Sequence, residues 1–149
     1  MRTIKFRGKK VTNGVWAYGS LVYLDENGAA IYVQTDNGSA KVMDLVYVHP
    51  DTVCQFTGFL DKNGKEIYEG DVLRSDEYPY SCIGDKKRDN YYAVVYYCEE
   101  GACFGTVTAK NPSSDVGGIS DGILDDVERE KMQDFEVIGN VYDPEWKQY

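Results

Sequence analysis

Four Asn-Gly dipeptides fall within the first 64 residues: Asn13-Gly14, Asn27-Gly28, Asn37-Gly38 and Asn63-Gly64. Asn and Gly both tolerate positive φ, which a two-residue type I′ hairpin turn needs at both central positions. Each pair is flanked by strand-forming residues. Residues 3–7 lead into the first turn, and 15–24, 29–35 and 42–48 follow as further strands. The first fifty residues therefore read as a meander of short antiparallel strands. His49-Pro50-Asp51 breaks the pattern, because Pro50 removes a ladder donor and holds His49 extended.

From Thr52 a second array of short strands begins, at 53–59, 66–68, 71–74, 91–99 and 103–108. The stretch 75–90 is polar, holds Pro79 and Gly84, and carries the charge cluster Asp85-Lys86-Lys87-Arg88-Asp89, so it reads as a long exposed loop. A second loop covers 111–118. Ile119, Ile123, Leu124 and Val127 are spaced for one helical face, with Ser120 or Asp121 as the cap, which predicts a short helix. Residues 135–141 close as a strand, and 144–149 form a tail that packs as a helical turn or swings free.

The 149 residues suit one domain or two small ones. Thirteen tyrosines stand against five phenylalanines and two tryptophans. Tyrosine fits half-buried strand surfaces, with the ring packed and the hydroxyl wet, which favours thin β-structure. The net charge is −9, but Arg2, Lys5, Arg7, Lys9 and Lys10 give residues 1–10 a charge of +5, leaving −14 for the remainder. So acidic a body repels a phosphate backbone, and nucleic acid is disfavoured as a partner. The basic start reads either as a lysine-protected edge strand or as a counter-charge to the acidic body.

The residues Arg2 to Arg7, the block from Phe56-Thr57-Gly58 through Asp61-Lys62-Asn63-Gly64 to Tyr68-Glu69-Gly70-Asp71, and the closing Phe135-Glu136-Val137-Ile138-Gly139-Asn140-Val141-Tyr142 together resemble the YopX family of small phage and prophage proteins. The resemblance touches both ends and the middle of the chain. It implies an SH3-like barrel, an origin in a bacterial cytoplasm, and no enzymatic activity. With it, the expected fold is mostly β: an N-terminal antiparallel meander over 1–50, then a C-terminal SH3-like barrel over 51–149 with one short helix and a tail. The motif positions Gly58, Asn63, Gly64, Gly70 and Asp71 read as turn residues.

Chemistry candidates are few. A calcium loop starting at Asp61 would need Gly at its sixth position and Glu at its twelfth, where this chain has Glu66 and Val72. Glu69 and Asp71 flank Gly70. As paired carboxylates they could hold a metal, but Asp71 reads rather as an acceptor that fixes the turn. The four cysteines include no Cys-x-x-Cys pair, and His49 has no metal-ligand spacing to them. Cys98 and Cys103, separated by Glu99-Glu100-Gly101-Ala102, come close across a hairpin, and reduced thiols are the default. No catalytic residue, metal or cofactor is expected. No signal peptide and no membrane-length apolar run are read.

What remains is a binding surface. Tyr78 and Tyr80 flank Pro79 and read as exposed; with Tyr91 and Tyr92 they lie in or beside the 75–90 loop. Rigid loop tyrosines suit protein contact; the competing reading folds them back over the core. The functional expectation is a non-enzymatic phage or prophage accessory protein, cytoplasmic in its bacterial host, that binds a host or phage protein and self-associates as a homo-oligomer. The alternative is a nucleic-acid-associated protein, or an acidic body that mimics DNA on a host protein.

Overall fold

A computed structural model describes residues 1–25, 28–36, 38–76, 78–80, 91–110, 122–124 and 134–146. Their strands are β1 (Phe6–Lys9), β2 (Trp16–Asp25), β3 (Gly28–Asp36), β4 (Lys41–Val48), β5 (Cys54–Leu60), β6 (Glu66–Tyr68), β7 (Asp71–Ser75), β8 (Tyr91–Cys98), β9 (Cys103–Lys110), β10 (Gly122–Ile123) and β11 (Glu136–Asn140). A single 3-10 turn at Pro50–Thr52 separates β4 from β5. The chain divides into two units, Met1–Gly58 and Phe59–Tyr149.

In the first unit the strands lie in the order β4-β3-β2-β1-β5, all antiparallel. Alternate residues face a small core of Ala17, Ala29, Ile31 and Val48, against which Phe6, Leu21, Val33, Val46 and Val53 pack. The sheet curls until Lys10 meets Val48 in an isolated bridge, supported by Val11 N–H to the Tyr47 carbonyl at 3.1 Å and His49 N–H to the Lys9 carbonyl at 2.9 Å. Strands β2 and β3 approach closely at Gly19, where a Cβ would lie 2.1 Å from the Tyr32 carbonyl oxygen. Only glycine fits there.

The basic strand β1 is not an edge. It sits between β2 and β5, and its cations lie over aromatic rings instead of in the solvent: Arg7 is 4.4 Å and Lys9 5.2 Å from the Trp16 ring centre. Cation–π contact lets a charged strand take an interior place.

In the second unit the order is β10-β9-β8-β7-β11, and residues 61–65 lead into β6, with three loop residues between the bonded Asp61 and Lys65. Along β8 the pattern is period two: Tyr91, Ala93 and Val95 are buried, and Tyr92, Val94 and Tyr96 half-buried. The buried row joins Ile67, Leu73, Phe104, Leu124, Phe135 and Val137 in one core. Each large side chain there contributes about 2 kcal/mol of apolar burial. Trp146 is also buried, so the tail packs through that residue.

Three further expectations change. The SH3-like barrel does not close among the described residues: β10 and β11 are the edges of an open sheet. Gly122 and Ile123, expected in a helix, form a strand paired with Thr106 and Gly105. Gly122 has the reason: a Cβ there would stand 2.4 Å from the Tyr80 ring. Leu124, which follows that strand, is buried in the core, and Ile119, Ser120, Asp121 and Val127 lie outside the described residues. The turns also differ from type I′. Among the described residues Ala102 alone has positive φ without being glycine, so Asn13 and Asn63 do not take the left-handed position. The loops are one or two residues longer than type I′ allows, and Gly14 (φ 70°) and Gly64 (φ 78°) alone turn left-handed. Asn27 and Asn37 lie outside the described residues.

Candidate functional site

The acidic candidates are absorbed by turns. Asp61 is buried, and its carboxylate accepts N–H bonds from Asn63 (2.8 Å), Lys65 (2.9 Å) and Val137 (3.0 Å). Burial alone would raise its pKa, but those three backbone donors and the Lys65 charge outweigh it and hold the carboxyl below the usual carboxylate range. Asp71 is buried too and accepts the Tyr68 N–H at 2.8 Å, with Gly70 at φ 77° between them. This is the turn role the sequence suggests for Asp71. His49 is exposed, and its carbonyl accepts the Thr52 N–H and hydroxyl.

The predicted tyrosine site is mostly interior. Tyr91 is fully buried and Pro79 is buried, while Tyr78, Tyr80 and Tyr92 are half-buried. Tyr78 packs edge-on against Tyr80 at 5.6 Å and Tyr91 at 5.1 Å. The hydroxyls of Tyr80 and Tyr91 meet Thr106 Oγ1 at 2.6 and 3.1 Å. Tyr78 and Tyr80 therefore fold back on the core, correcting their expected exposure. A buried threonine hydroxyl needs partners, and these two phenols supply them. Tyr92 lies on the other face of β8, opposite Arg74 of β7.

The exposed aromatic surface lies elsewhere, on the outer face of β2, β3 and β4. Register places Ser20, Tyr32 and Leu45 in one row, Gln34 beside Met43, and Ala30 beside Tyr47. Strand alternation puts Tyr18 on the same face. Tyr18, Tyr32, Met43, Leu45 and Tyr47 are all exposed, Tyr47 by 57% and Met43 by 54%. Tyr32 donates its hydroxyl to Met43 Sδ at 3.0 Å, and Lys5 stands 5.8 Å from the Tyr18 ring centre. An open groove of about 750 Å³ is lined by residues from both faces of these strands, Tyr18, Tyr32 and Met43 among them but neither Leu45 nor Tyr47.

Among the described residues β4 is also the edge of its sheet along residues 41–46, its Tyr47–Val48 end being held by Lys10 and Val11. Its residues 42–46 are Val-Met-Asp-Leu-Val, with Asp44 as the lone charge. Edges are ordinarily protected by lysines, proline or bulges; this one has a lysine only at its first residue, Lys41, and continues without a break in its register to β3. The sequence signal was present in the apolar residues at both odd and even positions of β4, which a one-sided surface strand does not need.

The family described as YopX protein matches residues 5–145. The chain belongs to the YopX family. Protein EF1440 from Enterococcus faecalis, known from a crystal structure, is similar with a TM-score of 0.50 and 18% identity over 95% of this chain and 94% of that one. At that identity the likeness concerns the fold alone. No curated protein matches. In the blocks that resemble YopX proteins, Gly64 at φ 78° and Gly70 at φ 77° turn the chain left-handed, Asp61 and Asp71 gather N–H groups, and Asn63 sits exposed at the loop tip, whereas Gly58, expected at a turn, lies inside β5 with a φ of 94° that a side chain resists.

Proposed function

We propose that this YopX protein is a non-enzymatic accessory protein that works by binding protein, and first of all a second copy of itself, in the cytoplasm of a bacterium carrying a phage or prophage. The observation that carries the reading is the apolar edge strand β4 with the exposed Tyr32, Met43, Leu45 and Tyr47 beside it. An antiparallel strand pairing with its own copy is two-fold symmetric, so one edge serves both partners. The turn roles of Asp61 and Asp71 support a scaffold over a catalytic site. Sedimentation equilibrium across concentrations tests this: a reversible monomer–dimer equilibrium supports it, and a single monomeric species at every concentration refutes it.

A second reading rests on charge. Residues 1–58 hold six Lys/Arg and five Asp/Glu, whereas 59–149 hold ten and twenty, for net charges of +1 and −10. So acidic a second half suits DNA mimicry on a host DNA-binding protein. Competition between this protein and duplex DNA for such a host protein would favour it over self-association.

A further inference from the structure

The tip of the β8–β9 hairpin carries two sulfurs side by side. Cys98 and Cys103 are direct antiparallel partners, and the next pair, Tyr97 and Phe104, packs ring against ring at 5.3 Å. The register is thus held by side chains as well as by the ladder. Opposed Cα atoms of an antiparallel pair stand roughly 4.5–5.5 Å apart, inside the roughly 4.4–6.8 Å that a disulfide spans without backbone movement. The thiols also share one side of the hairpin: a Cβ on Gly101 would lie 3.0 Å from Cys103 Sγ and 3.5 Å from Cys98 Sγ. Both cysteines are half-buried and residues 99–102 are exposed, so a small reagent can reach them. Cys54, by contrast, is buried in the first unit, its Sγ 3.3 Å from the Thr52 carbonyl.

We infer that Cys98 and Cys103 form a reversible dithiol–disulfide modification site that exchanges with low-molecular-weight disulfides. One cysteine thiolate attacks a sulfur of the small disulfide, forming a mixed disulfide and expelling one small thiol. The second cysteine thiolate attacks the protein sulfur of that mixed disulfide, closing the Cys98–Cys103 bond and expelling the second small thiol. Two electrons pass from the cysteine pair to the small disulfide, and the two cysteine protons end on the departing thiols. The product ties together both ends of the hairpin loop.

The test treats the full chain with excess oxidised glutathione and digests it, unreduced, with a glutamate-specific protease that cuts at Glu99 and Glu100. The expected product is a chain lighter by two hydrogens whose Cys98 and Cys103 peptides stay joined until reduced. Cys98→Ser is expected to leave Cys103 carrying one glutathione. Separate glutathione adducts on the two wild-type cysteines, unmodified thiols at both, or joining of either to Cys54 or Cys82 would overturn the inference.

Discussion

Asp61 Oδ2 accepts the backbone N–H of Val137 at 3.0 Å, joining the turn after β5 to strand β11, 76 residues on. The same carboxylate closes its own loop through Asn63 and Lys65. One side chain therefore sets a local turn and anchors the closing strand β11. Asp61→Ala strands three N–H groups, of which the Val137 one is buried, and is expected to cost about 3 kcal/mol. Urea unfolding reads the loss directly. An unchanged midpoint would show that water replaces the carboxylate at all three sites.

The depressed Asp61 pKa links this anchor to pH. Its stabilisation is fully present above the unfolded value of 3.8 and is lost as pH falls through the lower folded value. Denaturant midpoints taken through the acid range should therefore drop more steeply for the wild type than for Asp61→Asn, which has no charge to lose. Parallel acid limbs would assign acid unfolding to other carboxylates.

Gly19→Ala places a methyl 2.1 Å from the Tyr32 carbonyl oxygen, which is backbone and cannot swing away. The expected cost is about 3 kcal/mol or more, as for other overpacked sites. Hydrogen exchange should show the damage in β2 and β3, with amides of the β8–β9 hairpin still protected.

Ala102 sits at φ 49° at the end of a four-residue hairpin loop, where the loop before Val15 uses Gly14 at φ 70°. A left-handed alanine costs about 1 kcal/mol relative to glycine. Ala102→Gly should stabilise the protein by about that amount, less a small unfolded-state penalty. A lower thermal midpoint for the variant would contradict this account of the loop.

Most strands were legible in the sequence because their boundaries are local chemistry: Asn-Gly and Gly-Asp turns, and period-two burial such as Tyr91, Ala93, Val95. Turn type was less so, because the register of the flanking strands decides loop length, and Asn13 and Asp61 act as acceptors within the longer loops. Strand order was hidden, since five basic residues at the start suggest an edge only until Trp16 is seen under Arg7 and Lys9. The tyrosines beside Pro79 looked exposed by their loop context, but Thr106, distant in sequence, draws the Tyr80 hydroxyl inward. The surface on β4 is only half legible: apolar residues at odd and even positions set the strand apart, but its exposure follows from its place at the end of the sheet, a property of topology.

The central claim is that β4 and the face beside it pair with a second copy. Light scattering on the wild type and on Leu45→Lys, which sets a charge among Tyr32, Met43 and Tyr47, tests it most directly. Leu45 is already exposed, so the monomer fold should tolerate the change, checked by an unaltered circular dichroism spectrum. The account predicts twice the chain mass for the wild type and the chain mass for the variant. A wild type at the chain mass, or a variant that stays dimeric, would contradict it.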